Sequence, residues 1–109
     1  MDLVDLVYDL TESFPKKEDY RLTGQLTRSV VSVPANIAEG QPRSTAKNFA
    51  NFLAIARGSL METETLLMIA IRRGFITEEA ASPALSLVTE VSKMLTSLRS
   101  KIRGGTSLR

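Results

Sequence analysis

Residues 25–40 read QLTRSVVSVPANIAEG, and this stretch decides how the rest of the chain is interpreted. Val30, Val33 and Ile37 recur every three or four residues, the spacing that places side chains on one face of an α-helix. Pro34 stands inside the pattern, where it lacks a backbone N–H and its ring pushes away the carbonyl of Val30. We therefore predict a helix with a kink at Pro34.

A row of polar side chains follows the same stretch. At the surface of a bundle such a row is solvated and unremarkable, whereas facing the next helix it forms a polar network that fixes the register of the two helices. We favour this structural role over a ligand site. The Arg28 guanidinium is expected to pair with one of three acids, within or between subunits: Glu62 or Glu64 of the third helix, or Glu39. The predicted network consists of Arg28, Ser32, Asn36, Glu39, Glu62 and Glu64.

Turn signals divide the chain into four helical segments, and no alternating strand pattern occurs. Gly40 stands where a left-handed C-cap is expected, Gly74 stops the third segment, and Thr77 is the expected N-cap of the fourth. The predicted helices cover residues 2–13, 20–39, 44–73 and 77–102, with a flexible tail at 104–109. Short links between four helices predict an all-α, antiparallel, up-down-up-down four-helix bundle.

The third predicted helix carries two adjacent apolar seams. One seam contains Phe49, Leu53, Ala56, Leu60, Thr63, Leu67 and Ala70. The other contains Phe52, Ile55, Ser59, Glu62, Leu66 and Ile69. Two seams indicate a face wide enough for neighbours within the chain and for another chain. Gly24 and Gly58 lie inside helices, where we expect two backbones to approach closely.

The composition argues against an enzyme. The chain of 109 residues has no cysteine and no histidine, so thiolate metal sites and the commonest general base are absent. A di-metal carboxylate site needs Glu-x-x-His pairs, and no glycine-rich phosphate loop occurs. We predict no catalysis, no cofactor and no metal. No apolar run approaches the roughly 20 residues of a membrane span, so we expect a cytoplasmic protein.

The charges are unevenly distributed, although the net charge is only +2. Six acids lie within residues 1–19, whereas basic residues dominate residues 20–60 and the last part of the chain. Solvated cations on helix surfaces would explain this pattern; an anionic partner is the alternative. In an up-down bundle the basic groups near the second link and the end of helix 4 share one rim. The predicted nucleic-acid-binding residues are Arg43, Lys47, Arg57, Arg99, Lys101 and Arg103.

Nearly the whole chain resembles a family of small bacterial four-helix bundle proteins encoded in intervening sequences of 23S ribosomal RNA genes. Residues 25–40 match its hallmark, a run ending in PANIAEG, and further matches are LTESFPKKEDYRLTGQL, NFLAIARGSLMETETLL and RRGFITEE. The same superfamily includes the accessory variability protein of diversity-generating retroelements. The resemblance implies four antiparallel helices, a homopentameric barrel and no catalysis. For the retroelement members it also implies binding of nucleic acid and of a reverse transcriptase.

The chain departs from the family pattern in two places. Family members usually carry further residues before the position of Met1, including a tryptophan, so the first helix is expected to be shorter or the chain trimmed. An arginine pair is usual at the position of Thr27 and Arg28, and only Arg28 is present. Tight phosphate binding at that position is therefore less expected.

Two functions remain as hypotheses. The first is an oligomeric scaffold that binds structured RNA or DNA without sequence specificity. If the chain belongs to a retroelement, this scaffold would be an accessory of the reverse transcriptase. Because aromatic residues are few, phosphate contacts must dominate that binding. The second is a protein–protein adaptor without nucleic-acid binding, which the acidic first helix favours. The adaptor would be identified by partner binding whose affinity does not change with salt concentration and depends on an apolar patch.

Overall fold

The computed structural model describes residues 1–41 and 45–102 in full, and the backbone of residue 103. This part of the chain is all-α and contains no strand. Its helices begin and end within two residues of the predicted bounds; the predicted tail at 104–109 lies outside the described residues. The helices are α1 (Asp2–Thr11), α2 (Leu22–Gly40), α3 (Ala46–Arg72) and α4 (Glu78–Arg103), with a short 3₁₀ helix at Lys16–Glu18 before α2.

The helices enclose one apolar core. Helix α1 contacts α2 and α4, α2 also contacts α3, and α3 also contacts α4, which closes the ring of a four-helix bundle. The spacing of three and four residues explains which side chains are inside, because it keeps them on one face of each helix. The largest fully buried apolar side chains are Leu3, Val7, Leu26, Val30, Val33, Leu53, Leu60, Leu67 and Val88.

Local hydrogen bonds explain where two of the helices begin. The hydroxyl of Thr77 accepts a hydrogen bond from the backbone N–H of Ala80 at 3.0 Å, which confirms the predicted cap of α4. Thr45 caps α3 in the same way, through the N–H of Asn48 at 3.1 Å. Each cap satisfies a backbone donor that has no partner inside its own helix.

The glycines at the helix ends have different roles. Gly74 follows α3 with φ at +79°, so it is the left-handed stop that we expected. Gly40 is not a left-handed cap: it is the last residue of α2, and it is buried. A Cβ atom built on it would lie 2.7 Å from the Cβ of Phe52. Position 40 therefore needs glycine because α3 passes close to the end of α2.

Hydroxyl groups join α2 to α3. The Ser29 and Thr63 hydroxyl oxygens lie 2.9 Å apart in the buried interface, and those of Ser32 and Ser59 lie 2.8 Å apart nearer the surface. The amide nitrogen of Asn36 donates to the Ser32 hydroxyl and carbonyl, both at 2.8 Å. From the first of these pairs to the second, residue numbers rise along α2 and fall along α3, and the bonds contribute to the register of the two helices.

The expected pairing of Arg28 with an acid of α3 is wrong within the chain. Arg28 and Glu62 are exposed and Glu64 is half-buried, and no ion pair or hydrogen bond joins Arg28 to either acid in the described residues. Each step of four residues turns about 40° beyond a full helical turn. A row four residues apart therefore drifts around α2, from solvent at Arg28 to the contact with α3 at Ser32.

The apolar face of α3 is only partly covered. The first seam packs in the core, with Leu53, Leu60 and Leu67 fully buried. In the second seam Ile55 is 52% exposed and Ile69 is 41% exposed. The other side chains of the chain therefore leave these two isoleucines uncovered on the outside of α3, with the exposed Glu62 between them.

The two glycines inside the helices have different surroundings. A Cβ atom on Gly24 would lie 2.9 Å from the carbonyl oxygen of Asp19, in the turn just before α2. The close approach is therefore to this turn and not, as we expected, to another helix of the bundle. A Cβ atom on Gly58 would have no neighbour within 4 Å, so that expectation is wrong inside the chain. Gly58 and Ile55 are both exposed on α3, one turn apart.

Candidate nucleic-acid interface

One pocket is lined by two of the cations that we expect to share a rim of the bundle. Lys47 lies in the first turn of α3 and Arg99 lies near the end of α4, and together they line a cavity of about 410 Å³ with the amide of Asn51 on its edge. The Nε of Arg99 donates to the carbonyl oxygen of Ala50 at 3.1 Å. The end of α4 is thereby fixed against the beginning of α3.

The hydrogen bond to Ala50 orients the Arg99 guanidinium. A guanidinium has five N–H donors in one plane, and one of them is used inside the chain. The others lie in a half-buried position next to Lys47. The amino end of α3 adds the positive end of a helix dipole nearby. This arrangement suits an anion with several acceptor oxygens, such as a phosphate.

A second group of cations continues along the same junction of α3 and α4. Arg57 of α3 and Lys93 and Lys101 of α4 line a groove of about 520 Å³. Its other lining residues all carry hydroxyl groups; they are Ser92, Thr96, Ser97 and Ser100. Since Arg99 and Ser100 are neighbours in α4, the pocket and the groove are adjacent.

We call this surface the basic groove; its members are Lys47, Asn51, Arg57, Ser92, Lys93, Thr96, Ser97, Arg99, Ser100 and Lys101. Among the described residues its lining includes five cations and no acidic or aromatic side chain. The other half of the α3–α4 junction is different. It is lined by apolar side chains such as Met68 and Leu85, by hydroxyls and by Glu78, and none of the described residues that line it is a cation.

Four of the six predicted nucleic-acid-binding residues line the basic groove. Lys47 and Arg99 share the pocket, and Arg57 and Lys101 share the groove. Arg43 lies outside the described residues, as does the side chain of Arg103. Sequence reasoning missed Lys93, although the spacing of Lys93, Ser97 and Lys101 by four residues places them on one face of a helix. That these residues bind nucleic acid stays a prediction.

An apolar groove lies on the other side of Lys93 and Lys101. It has a volume of about 540 Å³ between α2 and α4. Its apolar lining is Ile37, Met94, Leu95 and Leu98, and Met94 is 67% exposed. The exposed ridge of α4 therefore separates a basic surface from an apolar one.

Neither a metal cluster nor a membrane helix appears in the described part of the chain. No group of three or more Asp or Glu side chains there is placed to hold a metal ion. None of the described helices combines the length and the apolar character needed to cross a membrane.

A family model described as the 23S rRNA-intervening sequence protein matches residues 1–97. The match therefore includes all of α1, α2 and α3 and most of α4. Among curated proteins, none matches the chain.

Proposed function

The chain belongs to the 23S rRNA-intervening sequence protein family, and from this premise we propose that it is a non-enzymatic, homo-oligomeric scaffold that binds structured RNA or DNA through the basic groove. In this proposal the subunit is an antiparallel up-down-up-down bundle, the assembly is a homopentamer, and the protein works in the cytoplasm. The observation that carries the proposal is the convergence of five cations on two neighbouring pockets, whose lining includes no acidic side chain among the described residues.

Phosphate contacts explain why such a groove suits nucleic acid. Each Lys or Arg that neutralises a phosphate releases counterions, which makes binding favourable and salt-dependent whatever the sequence. Lys93 and Lys101 are eight residues apart, or about 12 Å along the axis of α4. Arg57 faces them across the groove. Cations spread over this distance suit the phosphates spaced along a nucleic-acid strand, whereas a single small anion would need them closer together.

The outside of α3 supports self-assembly. Ile55 and Ile69 are exposed there at an interval of fourteen residues, which is two heptads of a helix–helix seam. Gly58 lies between them with open space above it. Inside a helix an exposed glycine costs about 1 kcal/mol relative to alanine, and a crossing helix of another subunit would need its small size. A ring of subunits then repeats the basic groove.

A titration tests the nucleic-acid part of the proposal. Fluorescence anisotropy would be measured with a ribosomal RNA fragment and with duplex DNA at two salt concentrations. The test variant replaces Lys47, Arg57, Lys93, Arg99 and Lys101 by alanine. The matched control replaces Lys16 and Lys17, exposed cations of the 3₁₀ helix, by alanine.

We expect the wild type and the control to bind, with a log–log salt slope of about 0.7 to 0.9 for each phosphate contact. The test variant should bind weakly and with a smaller slope. Absence of wild-type binding at low salt, or equal binding by the test variant, would overturn the proposal.

The apolar groove favours a second candidate function, that of a protein–protein adaptor. Met94 is exposed beside Ile37 and Leu98, and apolar patches of this kind occur at protein interfaces. In a retroelement the partner would be the reverse transcriptase, as the family resemblance suggests. Binding of that partner that persists at high salt and is lost in Met94→Asp would support the adaptor.

A further inference from the structure

The hydroxyl groups of the basic groove make no hydrogen bond to the part of the chain that the structure describes. Elsewhere in the bundle, hydroxyls such as those of Ser29, Ser32 and Thr63 form hydrogen bonds to other residues. In the basic groove, four hydroxyls make no hydrogen bond with the described residues; they belong to Ser92, Thr96, Ser97 and Ser100. Their hydrogen-bonding capacity is therefore available to a ligand.

The hydroxyls and the cations have different chemical abilities. Ammonium and guanidinium groups only donate hydrogen bonds, so they bind phosphate oxygens equally well in RNA and DNA. A Ser or Thr hydroxyl both donates and accepts. It can therefore accept from a ribose 2′-hydroxyl, the group by which a protein tells RNA from DNA.

The arrangement places these hydroxyls where ribose would lie. Ser97 is midway between Lys93 and Lys101 on α4, about 6 Å along the axis from each. Thr96 and Ser100 lie one turn apart on the side of α4 that lines the same groove. A backbone whose phosphates contact the two lysines would run its sugars over the hydroxyls between them.

We infer that the basic groove selects RNA over DNA of the same sequence, because its hydroxyls bond ribose 2′-hydroxyl groups while its cations hold the phosphates. This inference rests on the proposed function and adds the class of nucleic acid. In this inference the cations determine the overall affinity for nucleic acid, and the hydroxyls determine the preference for ribose over deoxyribose.

Matched hairpins test this selection. Anisotropy titrations at low salt would use one hairpin sequence as RNA, as DNA and as 2′-fluoro RNA, which keeps the RNA-like geometry but lacks the 2′-hydroxyl donor. The test variant combines Ser92→Ala, Thr96→Ala, Ser97→Ala and Ser100→Ala. The control combines Ser82→Ala and Ser86→Ala, which lie in the part of the α3–α4 junction without a lining cation.

We expect the wild type and the control to bind RNA about five- to tenfold more tightly than DNA or 2′-fluoro RNA, as one or two net hydrogen bonds would produce. The test variant should bind all three alike, at the DNA affinity of the wild type. Alanine favours the helix, and circular dichroism would verify that the variant is folded.

The outcomes separate the two proposals. If the wild type binds no nucleic acid at low salt, the proposed function fails. If it binds RNA and DNA equally, binds 2′-fluoro RNA as tightly as RNA, or keeps its RNA preference in the folded test variant, only the selection by hydroxyls is overturned.

Discussion

The Nε of Arg99 lies 3.1 Å from the carbonyl oxygen of Ala50, so a cation near the end of α4 is fixed to the backbone of α3. This bond brings Arg99 and Lys47 to the same pocket although they are 52 positions apart in the chain. A guanidinium held in this way loses less conformational freedom when it binds an anion.

The first prediction separates the charge of Arg99 from its orientation. In Arg99→Ala, the log–log salt slope for RNA binding should fall by about 0.7 to 0.9, because one phosphate contact is lost. In Arg99→Lys, the slope should stay unchanged while affinity falls roughly threefold, since an ammonium cannot keep the planar fork. Anisotropy titrations over a salt series measure both quantities. Identical slopes in the wild type and Arg99→Ala would contradict the role of Arg99.

The second prediction compares two threonines, only one of which has partners. Thr63→Val should lower the free energy of unfolding by about 1–2 kcal/mol, because the Ser29 hydroxyl and the Ser59 carbonyl lose a buried partner. The Thr23 hydroxyl oxygen is buried and has no hydrogen-bond partner among the described residues, so Thr23→Val should leave stability unchanged or raise it by up to about 1 kcal/mol. Urea unfolding at one fixed protein concentration measures both. A larger loss in Thr23→Val than in Thr63→Val would contradict this account.

The third prediction concerns glycines with different surroundings. Gly24→Ala should destabilise the subunit, since the new Cβ would lie 2.9 Å from the Asp19 carbonyl. Gly58→Ala meets no atom within 4 Å, so it should stabilise the isolated subunit by about 0.5–1 kcal/mol. Thermal unfolding at concentrations where the protein is dissociated measures these effects. A lower melting temperature for Gly58→Ala under those conditions would show that the site is not open.

The fourth prediction tests the assembly through the outside of α3. Ile55→Asp and Ile69→Asp should reduce the mass seen by light scattering at micromolar concentration, because both side chains are exposed in the subunit and a charge would be buried on association. Circular dichroism should remain helical in both. The control is Tyr20→Asp, which replaces a side chain that is 98% exposed and lies outside α3. A 12.0 kDa mass for the wild type would reject the oligomer itself.

The sequence by itself determined the helices and much of the core. Caps such as Thr77 and stops such as Gly74 act through hydrogen bonds and dihedral angles within a few residues, so their effect can be read locally. The apolar spacing of three and four residues likewise identified the buried face of α3, including Leu53, Leu60 and Leu67.

Only the tertiary structure decided which distant residues meet. Arg28 is exposed, Gly40 is enclosed by α3, and Lys93 of α4 lines one groove with Arg57 of α3. None of these follows from spacing alone. Each depends on how far one helix is rotated and shifted against its neighbour, and that register results from all the contacts of the packed core together.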